Sequence, residues 1–258
     1  MDSSYYGLVP IAVILALLCG AGARPLHPSP THPHPTNLEP TIQSLPLKML
    51  APPVFVSKNN YKVAEVIDAL GPDAVVRMSP DLDDFDEIQA STAEHIAQDK
   101  AVRAFYAVND HARRTQGTLQ WIFSSTPLQP VLVEDTSLEL DAWGGMPGPY
   151  IKWTLEAHGP DGLWNLVRSA PTHAASATSV VVYYYKAGDD VVGKTDTCRV
   201  RGKIVAPRGV SGFGGDSIFQ PEGSALTLAE MDVATRMRFS PRALAVRRVM
   251  ARTEEGDL

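Results

Sequence analysis

Val131-Leu132-Val133-Glu134-Asp135-Thr136 consists of three apolar residues with no polar alternation, running straight into two adjacent carboxylates. A short, uninterrupted apolar run predicts a strand covered on both faces, as in sheets flanked by helices. The carboxylates are expected at the end of that strand. Ionised neighbours there repel and lose solvation, so they need a divalent cation or a raised pKa, unless they cap the next segment.

Outward from this strand, strand and helix signals interleave. Val54-Phe55-Val56 after Pro53 predicts a strand, Ser57 to Asn60 a polar loop, and Val63, Val66, Ile67 and Leu70 the apolar face of a helix. Gly71-Pro72 ends that helix, because proline lacks the amide donor and restricts its predecessor. Val75-Val76 predicts the next strand. Ala93, Ile96, Ala97, Ala104, Phe105 and Val108 line one face of a second helix from Thr92 to about His111. Leu119 to Phe123 predicts another strand, and Ser179 to Tyr185 with Arg199 to Val205 a hairpin pair around Gly188. Thr227-Leu228-Ala229-Glu230 has capping-box spacing, and Ser240-Pro241 reads as an N-cap followed by proline at the first helical position. The pattern is that of one α/β domain over residues 54–252, with a short acidic tail at 253–258.

The first fifty residues are of another kind. Leu8 to Leu18 is almost continuously apolar and ends in Cys19-Gly20-Ala21-Gly22-Ala23, where Ala21 and Ala23 have signal-peptidase spacing. Against a signal stand Asp2, the lack of Lys or Arg before the run, and Pro10 within it. The run is also shorter than the ~20 residues that span a bilayer. Residues 1–23 therefore read either as a signal or anchor or as a poorly targeted extension, and any membrane association rests on residues 8–23. Residues 24–53 form a proline-rich extended linker in which His27, His32 and His34 are solvated spacer residues.

The chain has 258 residues, 44% apolar and 20% charged, which excludes a mostly disordered or polytopic membrane protein. With 29 acidic against 23 basic side chains and a net charge of -6, no global positive field exists to hold a nucleic-acid polymer. A free nucleotide is compatible with local lysines and a metal ion. Cys19 and Cys198 cannot build a disulfide framework or a cysteine-rich zinc site.

Four segments carry polar groups that an ordinary element end does not need. Ser57-Lys58-Asn59-Asn60-Tyr61-Lys62 lies between strand and helix, where backbone N–H groups and the helix dipole favour a phosphate. The pair Glu134-Asp135 is the second. The third is Gly144-Gly145-Met146-Pro147-Gly148-Pro149-Tyr150-Ile151-Lys152-Trp153, a dense run of turn formers that presents Lys152 from the helix following it. The fourth is Ala206-Pro207-Arg208-Gly209 with Gly212-Phe213-Gly214-Gly215-Asp216, a glycine loop carrying an aromatic suited to stacking on a base.

Together these segments resemble the inosine triphosphate pyrophosphatase family. The motifs VLVEDTSL, GGMPGPYIKW, IVAPRG and FGGDSIFQPEG, with AEM soon after, follow in order across nearly the whole globular part. The resemblance implies a mixed, elongated α/β sheet flanked by helices, with a central nucleotide cleft. It also implies a homodimeric, cytoplasmic enzyme dependent on Mg2+, with Mn2+ as a possible substitute. Such an enzyme hydrolyses deaminated purine triphosphates (ITP, dITP, XTP) to monophosphate and pyrophosphate. By the same resemblance Ser57, Asn59 and Lys62 fall in the triphosphate loop, Lys100 is a second phosphate-binding lysine, and Lys152 is the lysine of the PGPYIKW motif. Glu87 matches a metal-binding glutamate, and Asp135, with Glu134 beside it, matches the other acidic position. Thr136, Phe213, Gly214, Gly215, Asp216, Arg236 and Arg242 complete the substrate contacts. Magnesium needs only a few carboxylates plus phosphate oxygens, so Glu87, Glu134 and Asp135 suffice. Asp135 or Glu134 would orient the attacking water.

The chain departs from the family at defined places. Ser57-Lys58-Asn59 replaces Thr-Gly-Asn, Gly215 stands where tryptophan is usual, Arg236 replaces a lysine, and Ser240-Pro241-Arg242 replaces Ser-His-Arg. The stretch from Val102 to Gln129 is longer than the usual link and is expected to add a strand or reshape a dimer edge. The rival expectation is a nucleotide-binding member with weak turnover and relaxed base choice.

Overall fold

The structure, a computed structural model, describes residues 51–77, 87–116 and 128–254. The predicted strand at Leu119–Phe123, the segment 1–23, all but the end of the linker, and residues 255–258 lie outside the described residues. The chain order is β1 (Val54–Phe55), α1 (Asn60–Leu70), β2 (Val76–Arg77), α2 (Ala93–Gln116), β3 (Val131–Leu140), β4 (Pro147–Gly148), α3 (Ile151–Val167), β5 (Ala174–Ala187), β6 (Asp190–Ile204), β7 (Phe219–Pro221), α4 (Val233–Phe239) and α5 (Pro241–Glu254).

One seven-stranded mixed sheet organises these elements in the order β2-β1-β3-β5-β6-β7, with β4 paired to β3. β1 runs parallel to both β2 and β3, with Val54 opposite Val76 on one side and Val131 on the other. The remaining pairs are antiparallel. The long hairpin β5–β6 turns at Gly188, whose φ of 61° is the left-handed conformation that a two-residue turn demands.

Burial explains why β3 lies at the centre. Val131, Leu132 and Val133 have no exposed surface, and burying side chains of that size contributes roughly 1.5–3 kcal/mol each. Val131 and Val133 pack with Val54, Val56 and the Ala97, Ala101, Ala104 and Phe105 face of α2. Leu132 packs on the opposite side with Phe55, with Val63 and Val66 of α1, and with Ala245, Val246 and Val249 of α5. A third core, around Leu138, Leu140, Ile151, Leu163 and Ile218, covers the far end of the strand.

Several expectations need correction. Glu134 and Asp135 do not end a strand; β3 continues to Leu140 because Leu138 and Leu140 reach the third core. The helix expected to stop near His111 runs to Gln116, so of the stretch from Val102 to Gln129 residues 102–116 belong to α2. Its start is as read, with Thr92 Oγ1 accepting from the His95 N–H at 3.3 Å. The strand expected at Val75-Val76 is Val76–Arg77, with Val75 buried in the core before it. The Thr227–Glu230 capping box forms, but on a single 3-10 turn. α3 is kinked at Gly159-Pro160, where Gly159 takes φ 65° and ψ 174°. Among the described residues, no helix is long and apolar enough to cross a membrane.

Candidate active site

Strand periodicity sets the site. Successive side chains of a strand point to opposite faces, so Asp135 shares the α2 face with Val131 and Val133, and Glu134 shares the α1 and α5 face with Leu132. The two carboxylates are neighbours in sequence and have separate surroundings.

Glu134 is 1% exposed. Lys62 of α1 places Nζ 2.8 Å from its Oε2, and Arg242 of α5 places Nε 3.3 Å from its Oε1. Ser179 donates to Oε1 at 2.7 Å, and the Thr136 hydroxyl donates to the same oxygen. Burial by itself would raise the Glu134 carboxyl, but Arg242 and Lys62 outweigh it and hold the group well below the usual carboxylate range. Arg242 also pairs with buried Glu65 of α1 and donates to Thr136 Oγ1 at 2.9 Å. Ser240, the N-cap of α5, donates to Glu65 as well and accepts from the Ala243 N–H at 3.2 Å.

Asp135 has the opposite electrostatics. Its Oδ2 is buried and has no hydrogen-bond partner among the described residues. Burial pushes its carboxyl up to about 7; Lys62 opposes the rise, while the negative charge of Glu134 adds to it. Lys100 of α2 and Glu87 also face it electrostatically, and they pair with each other at 2.9 Å.

The phosphate loop is prepared by local bonds. Asn59 caps α1, accepting from the N–H groups of Tyr61 at 2.9 Å and Lys62 at 3.3 Å, and Ser57 Oγ accepts from the Asn59 N–H at 3.2 Å. Opposite, β4 leads into α3, where Lys152 Nζ lies 4.6 Å from the centroid of the Trp153 ring and Trp153 donates to Gln89 at 3.3 Å. In the glycine loop, Asp216 Oδ2 accepts from the Phe213 N–H at 2.9 Å. Gly212 makes room for this turn, since a Cβ there would come 2.2 Å from that same oxygen. Burial pushes the Asp216 carboxyl up to about 6, against the lowering effect of the Phe213 hydrogen bond. The Phe213 ring has the Arg242 guanidinium 5.4 Å from its centroid. Arg236 keeps a buried Nε with no hydrogen-bond partner among the described residues.

These groups surround one cleft of about 810 Å³. Every residue assigned above to substrate or metal lines it, from Ser57 in the loop to Arg242 in α5, except Glu134, which lies beneath its wall. Glu65 was not anticipated, because at 100° per residue it falls off the apolar face that Val63, Val66, Ile67 and Leu70 form, and its burial comes from Arg242 and Ser240 of the α5 start. Ser179, a polar residue at the head of the apolar run of β5, is a signal the sequence does carry.

Among the described residues no three acidic, histidine or cysteine side chains converge as a ready metal cage. Magnesium does not require one, because it keeps water and phosphate oxygens and takes one or two carboxylates. Asp135, with an oxygen that no donor satisfies, and Glu87, close enough for its charge to raise Asp135, fit such an ion.

Fold and cleft together define an α/β protein in which the central strand of a mixed sheet brings a carboxylate, and the helices around it bring lysines, to one cleft. Residues 53–252 match the Ham1 family, and the chain belongs to that family. It is 41% identical over 165 residues to inosine triphosphate pyrophosphatase 2 of Trypanosoma cruzi, covering 63% of this chain and 73% of that one. With inosine triphosphate pyrophosphatase of Leishmania major it shares 36% identity over 217 residues, covering 74% of this chain and 88% of the relative. The fold is shared with a HAM1 protein of Coxiella burnetii, at a TM-score of 0.60 and 21% identity over 79% of this chain and 98% of that one. A Ham1 protein of Staphylococcus aureus, at a TM-score of 0.58 and 24% identity, covers 78% of this chain and 97% of its own.

Proposed function

We propose that this protein is a nucleoside triphosphate pyrophosphatase that hydrolyses deaminated purine nucleotides, ITP, dITP and XTP, and so keeps them out of DNA and RNA. The observation that carries the reading is the convergence in one cleft of the α1 phosphate loop, Lys62 and Lys100, and a buried Asp135 oxygen without a donor. Relatives that bear the name inosine triphosphate pyrophosphatase support the choice of substrate.

In this reading the triphosphate lies at the N-terminus of α1, held by Ser57, Asn59 and Lys62. Lys100 and Lys152 neutralise charge that builds on the departing pyrophosphate. Asp135 orients the attacking water and takes its proton. Water oxygen bonds to the α-phosphorus as the bond from that phosphorus to the bridging oxygen breaks, leaving nucleoside monophosphate and pyrophosphate. Glu87 and Asp135 would hold Mg2+, with Mn2+ as a substitute, and the ion supplies charge neutralisation at the phosphate oxygens. Glu134 is assigned a positioning role, fixing Lys62 and Arg242 from below. Phe213, Gly214, Gly215, Asp216, Arg236 and Arg242 border the base.

Pyrophosphate release with Mg2+ across ITP, XTP, dITP, ATP, GTP and dUTP tests the proposal. Release concentrated on ITP, dITP and XTP is expected. Lys58, Gly215 and Pro241 motivate a second reading, nucleotide binding with little turnover, and the absence of release at high enzyme concentration would favour it. The homodimer is carried over from the family, and a monomer by light scattering at micromolar concentration contradicts it. The compartment proposed is the cytoplasm; export and cleavage of a reporter carrying residues 1–53 would overturn it.

A further inference from the structure

Tyr61 is the second residue of α1, with 61% of its surface exposed, and no role in the cleft has been given to it. Its backbone is fixed by the Asn59 cap, but its side chain extends to the glycine loop and lies on Phe213. The ring centroids are 5.4 Å apart and the planes differ by 16°. Among the described residues the Phe213 ring therefore meets Tyr61 and the Arg242 guanidinium. They differ in how firmly they are held. Arg242 is buried and clamped between Glu65 and Glu134, whereas Tyr61 is exposed and turns about two side-chain torsions. A flat ligand that stacks on Phe213 displaces or separates the looser partner.

We propose that Tyr61 is a base-positioning residue: the purine base enters between Tyr61 and Phe213 and is held on both faces. The inference rests on the nucleotide reading of the cleft. The rings are already near parallel, as a sandwich requires. Stacked layers sit ~3.5 Å apart, so a base held on both faces needs the two ring planes ~7 Å apart, and the pair must open to admit it. The Asp216 turn holds the Phe213 backbone, so the opening falls on the exposed Tyr61 side chain. One turn of α1 then addresses both ends of the nucleotide, the phosphates through Lys62 and the base through Tyr61.

The test compares Tyr61→Ala and Tyr61→Phe with the unmodified enzyme on ITP and on inorganic tripolyphosphate, which has no base. Loss of one stacking face is expected to raise KM for ITP about tenfold in Tyr61→Ala while kcat stays within about twofold. KM for tripolyphosphate stays unchanged, and Tyr61→Phe behaves as the parent. An unchanged KM for ITP in Tyr61→Ala, or an equal rise for tripolyphosphate, overturns the proposal. If the parent hydrolyses neither compound, the pyrophosphatase reading fails first, and calorimetric binding decides the role of Tyr61. A loss of ITP affinity confined to Tyr61→Ala, with tripolyphosphate binding intact, supports it. Equal affinities, or no ITP binding by any form, overturn it.

Discussion

Glu134 pairs with Lys62 through Oε2 and meets Arg242, Ser179 and Thr136 through Oε1, whereas Asp135 keeps a buried Oδ2 with no hydrogen-bond partner among the described residues. Substitutions that remove only charge separate the two roles. Glu134→Gln leaves two cations facing a neutral group, and breaking a buried pair this way costs about 3–5 kcal/mol. Urea unfolding should show that loss, with turnover falling because Lys62 is no longer held. Asp135→Asn removes a charge that burial already disfavours, so stability should be equal or higher while pyrophosphate release drops by roughly 10²–10⁴-fold. Equal destabilisation by both substitutions would refute the division. Asp216 gives a pH prediction of definite sign. Its folded carboxyl is raised to about 6 by burial, so between its unfolded value and about 6 the folded state holds more protons than the unfolded one. Its contribution is thus greatest at low pH and is lost as pH rises through about 6, by up to about 3 kcal/mol. Asp216→Asn can still accept from the Phe213 N–H and carries no charge, so relative to the parent it should gain stability at pH 7.5 and gain little at pH 4. An equal difference in unfolding free energy at the two pH values would show that Asp216 does not titrate in this range.

At the scale of elements, the sequence was most informative where one local rule acted alone. The apolar face of α1, the Gly71-Pro72 stop, the Gly188 hairpin and the Ser240-Pro241 start are written in consecutive residues, and each forms where its chemistry predicts. The apolar pattern alone makes β3 too short, because its polar residues resemble a strand end. They are tolerated mid-strand because α1 and α5 supply Lys62 and Arg242 beneath Glu134, and the cleft opens above Asp135. The adjacency of Glu134 and Asp135 suggested a shared cation, yet a period of two separates them. The Glu65 to Arg242 pairing joins positions 177 residues apart, and no local pattern announces it. The same holds for Tyr61 on Phe213, which only the approach of α1 to the glycine loop creates.

For the whole molecule, the question is where the working unit begins. β1 is two residues long, yet it lies between β2 and β3, and among the described residues the bonds around it reach back to Pro52. The Val54 N–H donates to Pro130 O and the Val56 N–H to Leu132 O, both at 2.9 Å, and Gln129 Nε2 donates to Pro52 O at 2.6 Å. The family match begins at residue 53. A chain starting at Ala51 keeps all of these bonds, so its thermal midpoint and pyrophosphate release from ITP should equal those of the full chain. A chain starting at Ser57 loses Val54, Phe55 and Val56, which are 8%, 1% and 2% exposed. At roughly 1.5–3 kcal/mol for each buried side chain, that loss is comparable to the 5–15 kcal/mol that holds a domain together. It also leaves β2 and β3 without the strand that joins them, so circular dichroism should show no cooperative melt. Lower stability or activity of the Ala51 chain would make residues 1–50 part of the enzyme and overturn the boundary placed at Val54. A cooperative melt for the Ser57 chain would mean that β1 is dispensable, and that pairing with β5 and packing on α2 and α5 hold β3 in place without it.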